Sequence, residues 1–459
     1  MEEMEEKVPA SSVFLLGVGE CGGNLLGEYI NAERERGRMT RVSGYLLLNT
    51  NQMDVIKARE RYHIPPENTL IFGDTPMGVG GRFMEAYSLV DTWWDTIADQ
   101  ISSLGGDVAN TFIILTSTGG GTGCGATPAL IRQIKETFGK TRRVYVYVAA
   151  VLPFEGQSSE ALNTTWLLYK LMQEPTSSKE IADLVILLSN RTMLRRRLQH
   201  DRRLVMDIIG ASLGVDTSDY QQIEKVLKYT GEVSSKALEK TFIDIVNPLI
   251  VQTLIKMLEL STYAPDKNIF PTIDFADLAN RLDIITVPAL FTDIPYEALK
   301  DERGNVDMDS LSAFLEEVVN VTVRAYSLVD IGDEPSASSA FYILSGPQQF
   351  TDVHLDIPIK RALGSYLAEG ASITPVFVQY KQRNMPMDLL ILLGLPKLEE
   401  IREIMREAYQ LISLHSGSKV KERWFLKSKG VSREVFIDAL RELMELFDVE
   451  ESEIELSGT

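Results

Sequence analysis

Thr111-Phe112-Ile113-Ile114-Leu115-Thr116-Ser117-Thr118-Gly119-Gly120-Gly121-Thr122-Gly123-Cys124-Gly125 is the stretch whose reading decides the fold. An apolar run of strand length, Thr111 to Leu115, enters the glycine tract Gly119 to Gly125, and a helical pattern follows from about Pro128 to Thr137. Glycine between a strand and a helix lets the backbone come close to a phosphate, while free N–H groups and the helix N-terminus offset its charge. Thr122 adds a hydroxyl that a purely structural turn would not require. Without a ligand, so many glycines would cost chain entropy with no return.

The same grammar recurs on either side. Val13 to Leu16 runs into Gly17-Val18-Gly19-Glu20-Cys21-Gly22-Gly23-Asn24, followed by helical character to about Arg36. Tyr45 to Leu48 stops at Asn49-Thr50-Asn51-Gln52, and further strands are readable at Val144 to Val151 and Leu184 to Leu188. Strands alternating with helices predict a mostly parallel, Rossmann-like sheet whose ligand collects at the strand ends. Taken alone, Gly17 to Gly22 also suits a dinucleotide site, but such sites want an acid at the end of the second strand, and Asn49-Thr50-Asn51 offers none. A NAD-linked oxidoreductase is thereby disfavoured. A third glycine loop, Gly78-Val79-Gly80-Gly81-Arg82, implies one triphosphate cradled from several sides, and no G-x-x-x-x-G-K-[ST] tract is present.

Composition narrows the classes. With 459 residues, 44% apolar and 24% charged, the chain is expected to be globular and to hold at least two packed units. No membrane span is expected. A net charge of -19 argues against general nucleic-acid binding, which draws on clustered Lys and Arg. The N-terminal MEEMEEKVPA is unlike a secretory or transit peptide, so a cytoplasmic protein is expected. Cys21 and Cys124, the two cysteines, sit inside glycine loops rather than in a zinc spacing. His63, His200, His354 and His415 form no ligand spacing, and Trp93-Trp94 reads as core.

Farther along, Thr192 to Lys240 turns helical and locally basic, with Arg191, Arg195, Arg196, Arg197, Arg202 and Arg203 read as a solvated face or a contact for an anionic surface. Pro248 to Leu260 reads as a long apolar helix with Pro248 in its first turn. Strands at Ala340 to Leu344, Ile373 to Tyr380 and Leu389 to Leu393, around a helix near Ile359 to Ala368, make a second α/β unit. From about Lys397 to Glu451 the chain is helical, and Val435, Phe436, Ala439, Leu440, Leu443 and Phe447 mark an apolar face expected to pack on the body. The two acidic termini read as disordered.

These elements resemble the tubulin/FtsZ superfamily of GTPases, in particular a divergent FtsZ-like or archaeal tubulin-like (CetZ-like) member. Gly119, Gly120, Gly121, Thr122, Gly123, Cys124 and Gly125 match its signature loop. Gly19, Glu20, Cys21, Gly22 and Asn24 look like the first phosphate loop, Asn49 and Asn51 like the next, and Gly78, Gly80, Gly81 and Arg82 like the loop facing the terminal phosphate. Phe154-Glu155-Gly156 resembles the ribose-contacting segment, Asn190 the guanine-contacting loop, and Asn247 the base-reading asparagine that opens the central helix. Thr272-Ile273-Asp274-Phe275-Ala276-Asp277 resembles the synergy loop. The match covers roughly residues 11 to 395. It implies an acidic tail at 1–10, a GTP-binding domain at 11–246 with a helical insertion at about 192–240, and a central helix at 247–264. A synergy loop and activation domain with a mixed sheet follow at 265–395, then a helical extension and acidic tail at 396–459.

What the resemblance implies for function is a filament-forming cytoskeletal GTPase that binds GTP or GDP with magnesium and serves cell division or cell shape. Protomers would stack head to tail, so that Asp274 and Asp277 of one position the attacking water at the GTP of the next. Glu20, a carboxylate beside phosphates, would hold magnesium directly or through water. An adaptor on the C-terminal helices and peripheral membrane contact are further expectations. The chain departs from the family pattern in several places: Thr272 stands where the FtsZ branch usually has Asn, Ile243 where a base-stacking aromatic is expected, with Phe242 beside it, and Ser159 where an Arg often follows. About 35 residues more than the resemblance predicts separate Asn190 from Asn247. The alternative reading is a GTP-dependent scaffold with little hydrolysis.

Overall fold

The structure is a computed structural model that describes residues 13–36, 42–74, 76–154, 158–172, 181–193, 235–261, 267–271, 275–295, 308–332, 336–348, 355–382, 385–395, 398–416, 429–447 and 449. Strands β1 (Val13–Val18), β2 (Gly44–Asn49), β3 (Thr69–Ile71), β4 (Thr111–Ser117), β5 (Tyr145–Leu152) and β6 (Leu184–Ser189) pair in parallel in the order 3-2-1-4-5-6. That order is the doubly wound arrangement. β1, β5 and β6 are buried along their whole length, which is why they read as unbroken apolar runs.

Alternation along each strand divides the core between two faces. Phe14, Leu16, Phe112, Ile114, Val146 and Val148 face one side. Val13, Leu15, Ile113, Leu115, Tyr145 and Tyr147 face the other. Helices α3 (Phe83–Ser103), α4 (Gly121–Thr137) and α5 (Ser158–Met172) cover the first face; α1 (Gly19–Glu35), α2 (Gln52–Tyr62) and α6 (Ser235–Leu258) cover the second.

The sheet continues without a break into the second unit. β6 pairs in parallel with β8 (Ile285–Phe291) through Val185↔Ile285 and Ile186↔Thr286. β11 (Asp388–Gly394) lies antiparallel between β8 and β9 (Ala337–Pro347), and β10 (Leu367–Tyr380) runs parallel to β9. β7 (Lys267–Phe270) pairs antiparallel with β10 at the far edge. Among the described residues the result is one sheet of 11 strands, parallel in the first unit and mixed in the second. Between them lie α7 (Leu278–Arg281), α8 (Met308–Tyr326) and α9 (Asp356–Leu363). A buried cluster ties α6 to the second unit: Lys256 Nζ pairs with Asp388 of β11 and sits 3.3 Å from Glu259 Oε1 and 3.2 Å from Ser345 Oγ.

The C-terminal extension folds back on the first unit. Helices α10 (Glu399–Ser416) and α11 (Arg433–Leu446) pack on α5, with Phe436, Leu440, Leu443 and Phe447 joining the core of that face. The expected apolar face is therefore buried, except that Val435, in the first turn of α11, is 45% exposed.

Three expectations need correction. Pro248 is not in a first turn: α6 begins at Ser235 and Pro248 lies inside it. The buried row Val246, Ile250, Val251, Leu254, Ile255 and Leu258 holds the helix on the sheet, and this packing outweighs the hydrogen bond that proline cannot make. The helix near Ile359 ends earlier, at Leu363, because Leu367 and Ala368 already belong to β10. The glycine tracts are not free loops; α1 starts at Gly19 and α4 at Gly121.

Candidate functional site

Helix propensity alone would not start α1 and α4 at glycines, each about 1 kcal/mol worse than alanine. Close approach explains them. A methyl group built on Gly22 would sit 2.1 Å from the carbonyl oxygen of Leu115, so α1 rests on β4 closely enough to exclude any side chain there. One on Gly121 would sit 2.7 Å from both Cα and N of Gly81, so the third glycine loop lies directly against the start of α4. Gly22 thus serves packing, while Gly121 brings two loops together.

Four segments converge at the carboxyl ends of β1, β2 and β4. A Cβ on Gly19 would be 3.2 Å from the backbone N of Gly123, and one on Gly78 would be 3.1 Å from Asn51 Cβ. The hydroxyls of Thr50 and Thr122 share a hydrogen bond of 2.7 Å, joining the β2 loop to the signature tract. Neither Val18 nor Gly120, the residues preceding α1 and α4, caps its helix with a side chain. Both helices therefore present first-turn N–H groups and a positive dipole end to the same concavity, which suits an anion.

Individual residues do distinct jobs there. Asn49, 2% exposed, accepts from Asn51 N at 3.1 Å, and Asn51 Oδ1 caps α2 through Met53 N at 2.9 Å. These two asparagines shape the second loop. Arg82 Nε donates to Val79 O at 3.0 Å and pairs with Glu85 at 3.0 Å, leaving its side chain half exposed beside the third loop. Cys124 is buried with its thiol directed at the carbonyl of Asn163, 3.2 Å away, and burial pushes that thiol's pKa far up. What Cys124 offers the loop is its backbone. Glu20 lies exposed on the first turn of α1, and Cys21 and Asn24 are half buried on the same helix. Both cysteines are free thiols.

Helix α6 packs along α1 on the same face of the sheet. Asn247 is 3% exposed, and its Nδ2 donor is buried without a hydrogen-bond partner. A buried amide of that kind costs about 1–3 kcal/mol unless something accepts from it. Asn190 begins the short helical turn after β6, on the same side of the sheet. Glu155 and Asp274 lie outside the described residues, as does the side chain of Ile243. The described part of the arginine cluster is Arg191, which pairs with Glu403 of α10.

Asp277 is elsewhere. It closes a 3-10 turn, Phe275–Asp277, that leads into α7 and is held by Tyr147 near the beginning of β5. The Tyr147 hydroxyl donates to Phe275 O at 2.9 Å and accepts from Ala279 N at 3.1 Å. The glycine loops stand beyond the other end of β5, where Thr118 N bonds Val151 O at 2.9 Å. From Tyr147 to Leu152 alone the strand rises roughly 16 Å. Asp277 and the glycine loops therefore lie toward opposite ends of β5.

The GTPase-domain pattern of the Tubulin/FtsZ family matches residues 12–196, the part of the chain that builds this concavity. The match covers less than half of the chain. Tubulin-like protein CetZ1 of Haloferax volcanii is 23% identical over 142 residues, 30% of this chain and 34% of that protein. Tubulin-like protein CetZ of Pyrococcus horikoshii is 28% identical over 130 residues, 27% of this chain and 32% of that one. The matched segment thus spans about a third of each relative's length.

Beyond residues 12–196 the likeness is one of fold. CetZ2 from H. volcanii, solved as a GTPγS-bound protofilament, superposes with a TM-score of 0.62 at 17% identity, covering 88% of this chain and 99% of that one. The GDP-bound monomer of CetZ1 from H. volcanii gives 0.60 at 16% identity, covering 87% and 99%.

Sequence reasoning passes over three residues of this site. Asn163 of α5 donates from Nδ2 to Gly119 O at 2.7 Å and supports the signature tract from behind. Thr50 was read only as the middle of an acid-free strand end, yet it bridges two loops. Lys429, from the C-terminal extension, donates to Gly81 O at 3.0 Å. None of these stands out in the sequence; Asn163, for one, lies between Glu160 and Thr164-Thr165 in a segment of mixed composition.

Proposed function

We propose that this chain binds GTP and GDP with magnesium, assembles head to tail with copies of itself, and hydrolyses GTP at the contact between subunits. The observation that carries the reading is the meeting of two uncapped helix N-termini, α1 and α4, at four converging loops. Backbone N–H groups of Gly19 to Gly22 and Gly121 to Gly123 would hold the phosphates, with the Thr122 hydroxyl among them. The unpartnered Nδ2 of Asn247 would donate to the base, with Asn190 and the segment of Ile243 and Glu155 around base and ribose.

The donor set fits magnesium bound chiefly by phosphates. Glu20 supplies one exposed carboxylate next to the concavity, and the described residues contain no group of three His, Cys, Asp or Glu that could cage an ion. Magnesium is commonly held by one or two carboxylates plus substrate phosphate oxygens. Bound there, it would neutralise charge on the transferring phosphoryl group. Glu20 would orient it.

Polarity supports assembly. Asp277 lies toward the opposite end of β5 from the glycine loops, so a single protomer does not bring its own Asp277 to its own phosphates. Stacking two copies head to tail would, with Asp274 and Asp277 orienting water. We place the protein in the cytoplasm, in division or shape control, with the C-terminal helices available to an adaptor. Among the described residues no helix is long and apolar enough to cross a membrane.

Phosphate release per protomer, measured against protein concentration with light scattering in parallel, tests the reading. Turnover should rise cooperatively with assembly and fall at least about 100-fold in Asp277→Ala, while GTP binding survives. Assembly with no phosphate release would favour the scaffold reading instead. Failure of both GTP and GDP to bind would sink the proposal.

A further inference from the structure

Lys429 stands 348 residues from Gly81 in sequence, yet its Nζ donates to the Gly81 carbonyl at 3.0 Å and lies 3.4 Å from Ser159 Oγ at the start of α5. It is 7% exposed. Burial pushes its pKa down, and the neighbouring Cys124 and Glu160 pull it back up. Glu160 in turn borders the signature tract: a Cβ on Gly119 would be 2.7 Å from its Oε2. A buried lysine on this spot is a costly choice unless its charge is used.

The turn it grips is short and glycine-rich. Val79 to Arg82 is closed by Arg82 N donating to Val79 O at 3.0 Å, and Gly80 and Gly81 hold φ of 57° and 80°. A Cβ on Gly80 would meet nothing within 4 Å, so neighbours do not confine that residue. Lys429 joins the turn to the extension, and Gly81 also touches the start of α4 at Gly121. The extension grips the other rim too: Glu403 pairs with Arg191, and Glu400 accepts from Thr192, both next to Asn190. Behind Lys429, Gly430 at φ 78° packs on Met84, and Ser432 caps α11.

We propose that Lys429 is a positioning residue for the terminal phosphate: it fixes the Val79–Arg82 turn against the N-terminus of α4 and so couples that phosphate to docking of the C-terminal extension. The inference rests on the GTP reading above and deepens it. On that reading the turn faces the terminal phosphate, so the triphosphate form should depend on Lys429 and the diphosphate form should not. Coupling is reciprocal, so the triphosphate should also tighten the extension.

The test uses the full chain and Lys429→Met, which keeps the length of the aliphatic stem. Fluorescence titration should give GDP affinities within about twofold of each other, and GTPγS affinity about tenfold weaker in the variant, as for loss of one charge-assisted hydrogen bond. Lys429→Arg should restore part of the GTPγS affinity. Amide hydrogen exchange across Arg433–Leu446 should slow with GTPγS relative to GDP in the wild type and show no such difference in Lys429→Met. An unchanged GTPγS-to-GDP ratio, or equal weakening of both nucleotides, overturns the proposal. Failure of the wild type to bind either nucleotide would instead defeat the functional reading beneath it.

Discussion

Replacing Asn247 by Leu should move stability and affinity in opposite directions. The buried Nδ2 of Asn247 has no partner in the ligand-free protein, on a residue 3% exposed within an apolar row of α6. An unsatisfied buried donor costs about 1–3 kcal/mol, and an apolar side chain of similar length removes that cost. Leucine's branched end takes back some of the gain through packing strain, so a net stabilisation of about 1 kcal/mol is expected. In a domain of 150–250 residues that is a rise in melting temperature of about 2–4 °C. Binding should suffer the reverse. With no amide to meet the base, GTP affinity should drop about 10- to 100-fold and the preference for GTP over ATP should shrink with it. Scanning fluorimetry without nucleotide and competition of a fluorescent GTP analogue by GTP and ATP measure the two effects. A variant that melts below the wild type without nucleotide, yet keeps its GTP affinity and selectivity, would refute the assignment of Asn247 as an unpaired base reader.

Gly121→Ala puts a methyl group 2.7 Å from backbone atoms of Gly81, which cannot rotate away; a stability loss of about 1–3 kcal/mol by denaturant titration and at least tenfold weaker GTP binding are expected. Tyr147→Phe removes the hydroxyl that holds the carbonyl of Phe275 and the amide of Ala279; assembly-dependent hydrolysis should fall while nucleotide affinity of the isolated protomer stays within twofold. Lys256→Met leaves the buried carboxylates of Asp388 and Glu259 without their cation and should cost about 3–5 kcal/mol in denaturant titration. Burial raises the pKa of Glu400 above its ordinary value despite donors at Ser189 and Thr192. The folded state therefore holds that proton more tightly than the unfolded chain, and the resulting stability is lost as pH rises through the folded pKa. Glu400→Gln should flatten the melting temperature against pH in that window.

Much of the fold was legible because the parallel strands are buried on both faces. β1, β4, β5 and β6 are continuous apolar runs bounded by glycine or polar turns, and such runs need no neighbour to be recognised. The apolar face of α11 was legible for the same reason, through its spacing. What escaped reading depended on distant contacts. β3 is a three-residue strand, all of it half buried, and it exists because β2 offers it an edge. Pro248 reads locally as a helix start, yet the apolar row around it draws the helix through. Gly19 and Gly121 read as loop residues but open helices, with Gly123 and the Val79–Arg82 turn packed closely where a side chain would stand. Glycine composition announced a close approach without saying what approaches.

The candidate site follows the same division. Its glycines announced themselves because close approach of backbone to backbone leaves a compositional mark. Thr50, Asn163 and Lys429 did not, since one hydroxyl, amide or ammonium means nothing until its partner is known. Thr50 matters because Thr122 is 2.7 Å away, and Lys429 because Gly81 is 3.0 Å away. The separation of Asp277 from the glycine loops is of this kind as well. The motif ending in Asp277 could be read as catalytic from its resemblance alone, but only Tyr147, tying that turn to the beginning of β5, places it away from the glycine loops. A parallel sheet sends all its carboxyl ends, and so all its anion-binding loops, to one side. On the proposed reading, a water-orienting carboxylate anchored at the amino ends would act on the nucleotide of another subunit. Hydrolysis would be tied to assembly by the direction of the strands, without a separate regulatory element.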